Sequence, residues 1–360
     1  MLKGNEIHVI APKDDYSDKL ISLGCSFYPI NVDRSGANLL TELKLIKQLS
    51  GYLSAISPDC LINFTPKMNI YGVMIGKAMG FKVINSIAGL GAIFSETGIK
   101  PLLGKMLLRL TQPLADHVIF QNEDDQGVYL ERGYTKVDKC SRVKGIGIDL
   151  SRFSSTVAPD DNVVRFIVVA RMLKTKGIAE FVAAAEQVDT YFKKQAELGE
   201  TCYQYEFSLL GFVDDGNPQG ISLSTLQYWH DNTIVNFLGQ TDDVYEVVKD
   251  YDCVVLPSYY REGIPQCLIE ACAMAKPIIT TDNVGCKETV EDQKTGYIVS
   301  PQCVDSLSDA MIKIVKMSHK KRVAFGKKAR LKAKKEFCHL IISMHYLKII
   351  DSLQTEEIKR

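Results

Sequence analysis

The chain lacks net charge: 43 Lys and Arg balance 43 Asp and Glu over 360 residues. No global field therefore recruits nucleic acid. It also lacks any apolar run approaching the roughly 18–20 residues that span a bilayer. No signal peptide is read at its start, so membrane contact is expected to be peripheral, on the cytoplasmic face. Cysteine pairing signals are missing too. The ten cysteines are scattered with no C-x-x-C, which disfavours a disulfide framework and suits a reducing cytoplasm. Several lie in apolar stretches, where a free thiol behaves as a small hydrophobe. Histidine is sparse, with six residues (8, 117, 230, 319, 339, 345), none at metal-ligand spacing. No nucleophile–base pair stands out. No Asp-x-Asp accompanies the site described below, and neither metal nor cofactor is expected there.

What is present is an alternation of β-branched apolar runs with helix-like stretches, the pattern of parallel α/β sheets. EIHVIAP (6–12), CSFYPI (25–30), DCLINF (59–64), KVINSIA (82–88), ADHVIFQN (115–122) and KCSRVKGIG (139–147) read as strands of a first sheet. From Val164 the pattern restarts with RFIVVA, YEFSLL, NTIVNFLG, DCVVLP, PIITTD and GYIVSP. Two doubly wound domains are expected, 1–155 and 156–338, with 149–162 as hinge. A C-terminal helix over 339–360 is read as returning to the first domain.

The most informative stretch is PSYYREGIPQCLIEACAMAKPIITTDNVGCKETVEDQKTGYIV (257–299). It reads as loop, helix and strand following the buried strand DCVVLP (252–257). Loops at the carboxyl ends of such strands bind ligands in open α/β sheets. The turn Gly263-Ile264-Pro265 and the helix start at Gln266, Cys267 and Leu268 offer N–H groups and partial positive charge, a seat for phosphate. Glu270, early in the helix, is placed to accept hydrogen bonds from a vicinal diol such as a ribose. Glu262, on the loop, is placed to reach whatever the phosphate carries. A second unit, RFIVVARMLKTKGIAEF (165–181), puts Arg171 at a strand end and Lys176 at a helix start. Together they supply a fork and a point charge for a diphosphate; Lys174 is a weaker candidate.

The E-x7-E pattern, with PS before it, Gly-x-Pro inside it, and GC-x-E (285–288) and TG (295–296) after it, resembles the donor-site signature of family-4 retaining glycosyltransferases. HVIFQNEDDQGVYLERG and GIGIDLSRF (145–153) are similar to the branch of that family that builds capsule, O-antigen and bacterial N-linked glycans. The resemblance implies a GT-B fold: two Rossmann-like domains facing a cleft. It implies a UDP-sugar donor, expected to carry an N-acetylhexosamine, and a polyprenyl-diphosphate-linked saccharide acceptor. Retention without metal is implied, with Glu262, Arg171 and Lys176 carrying the chemistry. Arg171 and Lys176 match the family's phosphate-binding pair, Gly239 its turn beside the nucleotide, and Lys287 a residue within reach of the sugar or phosphate. Glu288 matches a helix-start glutamate. In INSIAGLGAIF (84–94), Gly89 and Gly91 match an acceptor-side turn, although Ala88 stands where some relatives carry Glu. A nucleotide-sugar epimerase or hydrolase of the same shape, or an inactive UDP-binding paralogue, are the rival readings.

The start LKGNEIHVI reads like a helix end capped by Gly4 and Asn5. The first strand also lacks a following glycine-rich turn. Against the family, one strand–helix unit of roughly 20–25 residues is expected ahead of it. Two stretches are candidates for membrane contact. IKPLLGKMLLRL (99–110) sets leucines and Met106 against Lys100, Lys105 and Arg109. Residues 313–335, with eleven Lys or Arg and no acid, are the second.

Overall fold

A computed structural model describes residues 4–33, 39–95, 98–214 and 216–358. Residues 2–3 of the expected helix end lie outside them. The chain begins with β1 (His8–Ala11), α1 (Ser17–Ser22) and β2 (Ser26–Pro29), and β1 pairs with β2 in parallel. There follow α2 (Leu39–Ile56), β3 (Cys60–Asn63), α3 (Pro66–Ala78), β4 (Lys82–Ile87), α4 (Gly91–Ser95), α5 (Ile99–Thr111), β5 (His117–Phe120), α6 (Glu123–Glu131) and β6 (Cys140–Arg142). Strands β3–β4–β5–β6 form a parallel sheet of their own, so the six strands expected in one first sheet divide into this sheet and the β1–β2 pair. Every connection is a crossover, as parallel pairing demands.

The second half repeats the plan: β7 (Val163–Val169), α7 (Ile178–Glu197), β8 (Gln204–Leu210), α8 (Leu223–Asn232), β9 (Val235–Phe237), α9 (Val244–Val248), β10 (Cys253–Leu256), α10 (Gln266–Ala273), β11 (Ile278–Thr281), β12 (Gly296–Val299), α11 (Val304–Val315) and α12 (His319–Lys332). Its six-stranded sheet runs β12-β11-β10-β7-β8-β9. Successive strands step outward from β7 on one side and then outward from β10 on the other. The order therefore reverses between β7 and β10, and a crevice opens there at the carboxyl ends. β10 and β11 are buried along their whole length, which explains why CVVL and IITT carry no polar-face alternation. One face packs under α7 and α11, the other under α10 and α12.

Past α12 the chain makes a π-turn (Ala333–Phe337) and continues as α13 (His339–Ile358). Gly147, at φ 88, passes within 2.7 Å (measured from an ideal Cβ) of the His339 Cα, an approach that a side chain would block. Ile148 N–H donates to Phe337 O at 2.8 Å. α13 then lies on the first domain, with Tyr346 Oη 2.7 Å from Ser86 Oγ and Ile342 packed beside Ile84 and Ile119.

The two membrane candidates differ. On α5, Ile99, Leu102, Leu103, Met106 and Leu110 are exposed, whereas Leu108 is core and Leu107 packs inward. Leu107 thus leaves the apolar face to which its spacing assigned it, and Lys105 stacks over Phe94 at 5.6 Å rather than standing opposite. The Lys100 side chain lies outside the described residues. In 313–335 the apolar Ile314, Val315, Met317 and Phe325 are core, and Leu331 is the large apolar side chain left exposed, so any membrane contact there rests mainly on charge. Among the described residues no helix is long and apolar enough to cross a membrane.

Candidate active site

Two turns meet in the crevice between β7 and β10. Gly177 takes a left-handed conformation, φ 75, and an added Cβ would collide with the Pro257 carbonyl. Only glycine lets the start of α7 press on the end of β10. Tyr259 N–H donates to Thr175 O at 3.0 Å, binding the two turns together. Lys176 and Glu262 are brought face to face. Lys176 Nζ lies 2.6 Å from each Glu262 carboxylate oxygen, and each side chain is only 13% exposed. Ser258 Oγ lies 2.7 Å from Glu262 Oε1. Asn283 Nδ2 donates to Tyr260 O at 2.6 Å, bracing the loop from the next strand end. An ion pair of this kind loses hydration on both partners, a cost offset here by Lys176 on both carboxylate oxygens and Ser258 on one.

α10 begins at the same point. Pro265 precedes it in extended conformation and no side chain caps its amino end, leaving first-turn N–H groups for a ligand. One turn in, burial pushes the Glu270 carboxyl up to about 7, against the opposing pulls of Gln266 and Arg152. Gln266 Oε1 is shielded from solvent without a partner. The Cys267 thiol is held strongly protonated by its burial. Gly263, Ile264 and Leu268 are buried beneath this turn.

Other predicted residues stand apart. Arg171 lies at its expected strand end, but its Nη1 pairs with Asp214 at 3.3 Å, on the β8 side, and its side chain is 47% exposed. Gly239 sits in the left-handed region with open space around it, and its carbonyl accepts from Gly211 N–H at 2.7 Å. Beside it the apolar Phe212 and Leu238 are exposed at the carboxyl ends of β8 and β9. α9 is capped by Asp243, whose carboxylate accepts from Glu246 N–H. The chain's one Asp-x-Asp, Asp250–Asp252, is at the amino end of β10, where Asp252 binds Arg322 at 2.8 Å. It is remote from the crevice.

The first domain closes over the loop. An added Cβ on Gly89 would stand 2.7 Å from Gly263 N, and one on Gly91 2.7 Å from Tyr260 Oη. Gln121 Oε1 accepts from Ile264 N–H at 3.0 Å. Arg261 Nε donates to the buried Asp125 at 2.8 Å, and Lys287 Nζ reaches Asp124 at 3.5 Å. Lys287 is therefore engaged across the cleft. Burial raises the Glu288 carboxyl, and its Oε2 has no partner.

Ser258, Asn283, Arg261, Gln121 and Asp125 are site residues that the sequence did not single out. Ser258 was visible in the PS dipeptide, and Gln121 and Asp125 in the QNEDDQ stretch. Nothing local says that these touch the loop, because the contacts span 140 residues in the case of Asn122 and Glu262 O.

Comparison with known proteins agrees with this geometry. The family described as "Glycosyl transferases group 1" matches residues 149–332, and "Glycosyl transferase 4-like" matches residues 2–122. The chain is 28% identical to the N,N'-diacetylbacillosaminyl-diphospho-undecaprenol alpha-1,3-N-acetylgalactosaminyltransferase of Campylobacter jejuni, over 96% of this chain and 91% of that protein. It is 21% identical to a UDP-Gal:alpha-D-GlcNAc-diphosphoundecaprenol alpha-1,3-galactosyltransferase of Escherichia coli, over 84% and 77%. Among solved structures, sucrose-phosphate synthase of Thermosynechococcus elongatus superimposes with a TM-score of 0.79 at 20% identity, covering 98% of this chain and 90% of that one. HepE of Anabaena, in complex with UDP and glucose, gives 0.74 at 17%, covering 96% and 91%. These likenesses support the GT-B fold that the sequence resemblance implied. With one family match spanning half its length and the paired-domain cleft in place, the chain belongs to the group 1 glycosyl transferases.

Proposed function

We propose that this glycosyltransferase moves an N-acetylhexosamine from a UDP-sugar to a polyprenyl-diphosphate-linked saccharide, with retention and without a metal. The observation that carries the reading is Lys176 held on Glu262 beside the open amino end of α10. The acceptor and sugar class follow the relatives' own substrates. The diphosphate would lie at α10, facing Lys176, with Arg171 joining it on release from Asp214. Its uracil would rest near Gly239 on Phe212 and Leu238, and its ribose hydroxyls would donate to Glu270. Glu262, aligned by Lys176 and Ser258, would orient the sugar hydroxyls. The acceptor oxygen attacks C1 on the face that UDP leaves, and the departing phosphate oxygen takes the acceptor's proton. Fixed cations and helix N–H groups stabilise the charge that develops.

Membrane-borne acceptors require the enzyme at a lipid surface, and the exposed apolar face of α5 would place it there peripherally, on the cytoplasmic side. The test incubates full-length protein with labelled UDP-N-acetylhexosamines and polyprenyl-diphosphate saccharides in the presence of a chelator. Product with the donor's anomeric configuration is expected. No transfer to any saccharide acceptor refutes the function, and dependence on added metal refutes the mechanism.

A further inference from the structure

At the amino ends of β7, β10 and β11, the opposite end of the sheet from Lys176 and Glu262, lies a cavity of about 350 Å³. Lys276, Arg322, Lys327, Arg330 and Lys334 line it. Asp252 is the one acidic residue lining it, and Arg322 already binds that carboxylate at 2.8 Å. Among the described residues no carboxylate lies within ion-pair distance of Lys276, Lys327, Arg330 or Lys334. Arg330 donates instead to backbone carbonyls, Phe153 O at 2.6 Å and Leu150 O at 2.9 Å. Lys276 is 1% exposed, and its Nζ donates to Lys249 O at 2.6 Å. Burial drives the Lys276 ammonium down to about 8, outweighing the opposing pull of Asp252 and Asp250, the response of a desolvated cation.

His319, the first residue of α12, also lines the cavity, so the positive end of a 14-residue helix adds to the field. Gly326 has no side chain to hold α12 away from the Ala275 carbonyl, which keeps the helix close to Lys276. Val157, Pro277 and Val323 form apolar wall between the charges. Concentrated positive charge of this kind is unexpected in a chain of zero formal charge. Uncompensated cations around a partly desolvated space are costly unless an anion joins them.

We propose that this cavity is a second ligand site, separate from the sugar-transfer cleft, that binds a phosphate group. Lys327 and Lys334 are exposed and close on the phosphate from the rim, while Lys276 meets it from within. Calorimetric titration of the full-length chain with inorganic phosphate at low ionic strength tests this. The Lys327→Gln/Lys334→Gln double variant, altered only at exposed positions, should bind at least ten-fold more weakly. Nitrogen-15 NMR of the Lys276 ammonium gives a local readout, and its titration midpoint should move above 8 when phosphate saturates.

Sedimentation with phosphatidylglycerol vesicles identifies the source of the phosphate. Vesicle binding that the double variant loses supports a lipid headgroup. Free-phosphate binding without vesicle binding supports a soluble ester. Phosphate affinity equal in the two proteins, or a Lys276 midpoint that phosphate leaves unmoved, overturns the proposal.

Discussion

Glu262 and Glu270 lie eight positions apart yet in unlike surroundings. Glu262 has a cation on both oxygens, whereas Glu270 feels Arg152 only at a distance and burial pushes it up to about 7. Their roles should separate by mutation. Glu270→Ala should weaken UDP binding by about 1–3 kcal/mol, the worth of charge-assisted hydrogen bonds. Glu262→Gln should leave UDP affinity near that of the parent while turnover collapses; equal affinity losses would contradict the assignment. A pH dependence follows from the same shift. Ribose hydroxyls need the ionised Glu270, so binding expels its proton. UDP affinity should climb as pH rises toward 7 and level off above it, and calorimetry on Glu270→Gln should show that climb abolished. At this scale the sequence was legible for both glutamates and for Lys176. It was not legible for Ser258 or Arg261, whose importance comes from what they touch.

Among the elements, α5 carries the clearest experiment. Leu103 and Met106 are exposed while Leu108 is core. Leu103→Glu or Met106→Glu should release the protein from anionic vesicles with its melting temperature unchanged within error. Leu108→Glu buries an unpaired charge and should lower the melting temperature sharply. Vesicle sedimentation paired with thermal melts distinguishes the two faces; vesicle binding retained in both exposed variants would exclude α5 as the lipid contact. The spacing of 99–110 revealed an amphipathic helix but not its orientation. Leu107 and Leu108 are adjacent, and only the packing of α3 and α4 against α5 decided which leucines turned inward. The same holds for 313–335, where Ile314, Val315, Met317 and Phe325 proved to be core while Leu331 stays exposed.

For the whole molecule, the decisive contact is the meeting of Gly89 with Gly263 across the cleft. Gly89→Ala adds a Cβ 2.7 Å from Gly263 N at a backbone φ of 120 that side chains disfavour. The variant should hold its domains further apart, seen as a larger radius of gyration by X-ray scattering. Turnover should fall at least ten-fold while UDP affinity changes little, because the donor residues all lie on one side. An unchanged radius with full activity would show that this contact does not set closure.

The sequence by itself determined the parallel α/β plan of both halves, though not the separation of β1 and β2 from β3–β6. It also determined the loops and helix start that carry Lys176, Glu262 and Glu270, and the family. Those features are written locally, in β-branched runs, glycines at strand ends and the spacing of two acids across one turn. Tertiary structure alone decided that Lys176 grips Glu262, that Arg171 turns to Asp214, and that Gln121 and Asp125 reach the donor loop. It also gathered Lys276, Arg322, Arg330 and Lys334 around one cavity. Each of these depends on strand order and domain closure, which bring together residues far apart in the chain. Periodicity reports which way a side chain faces, but not what it meets.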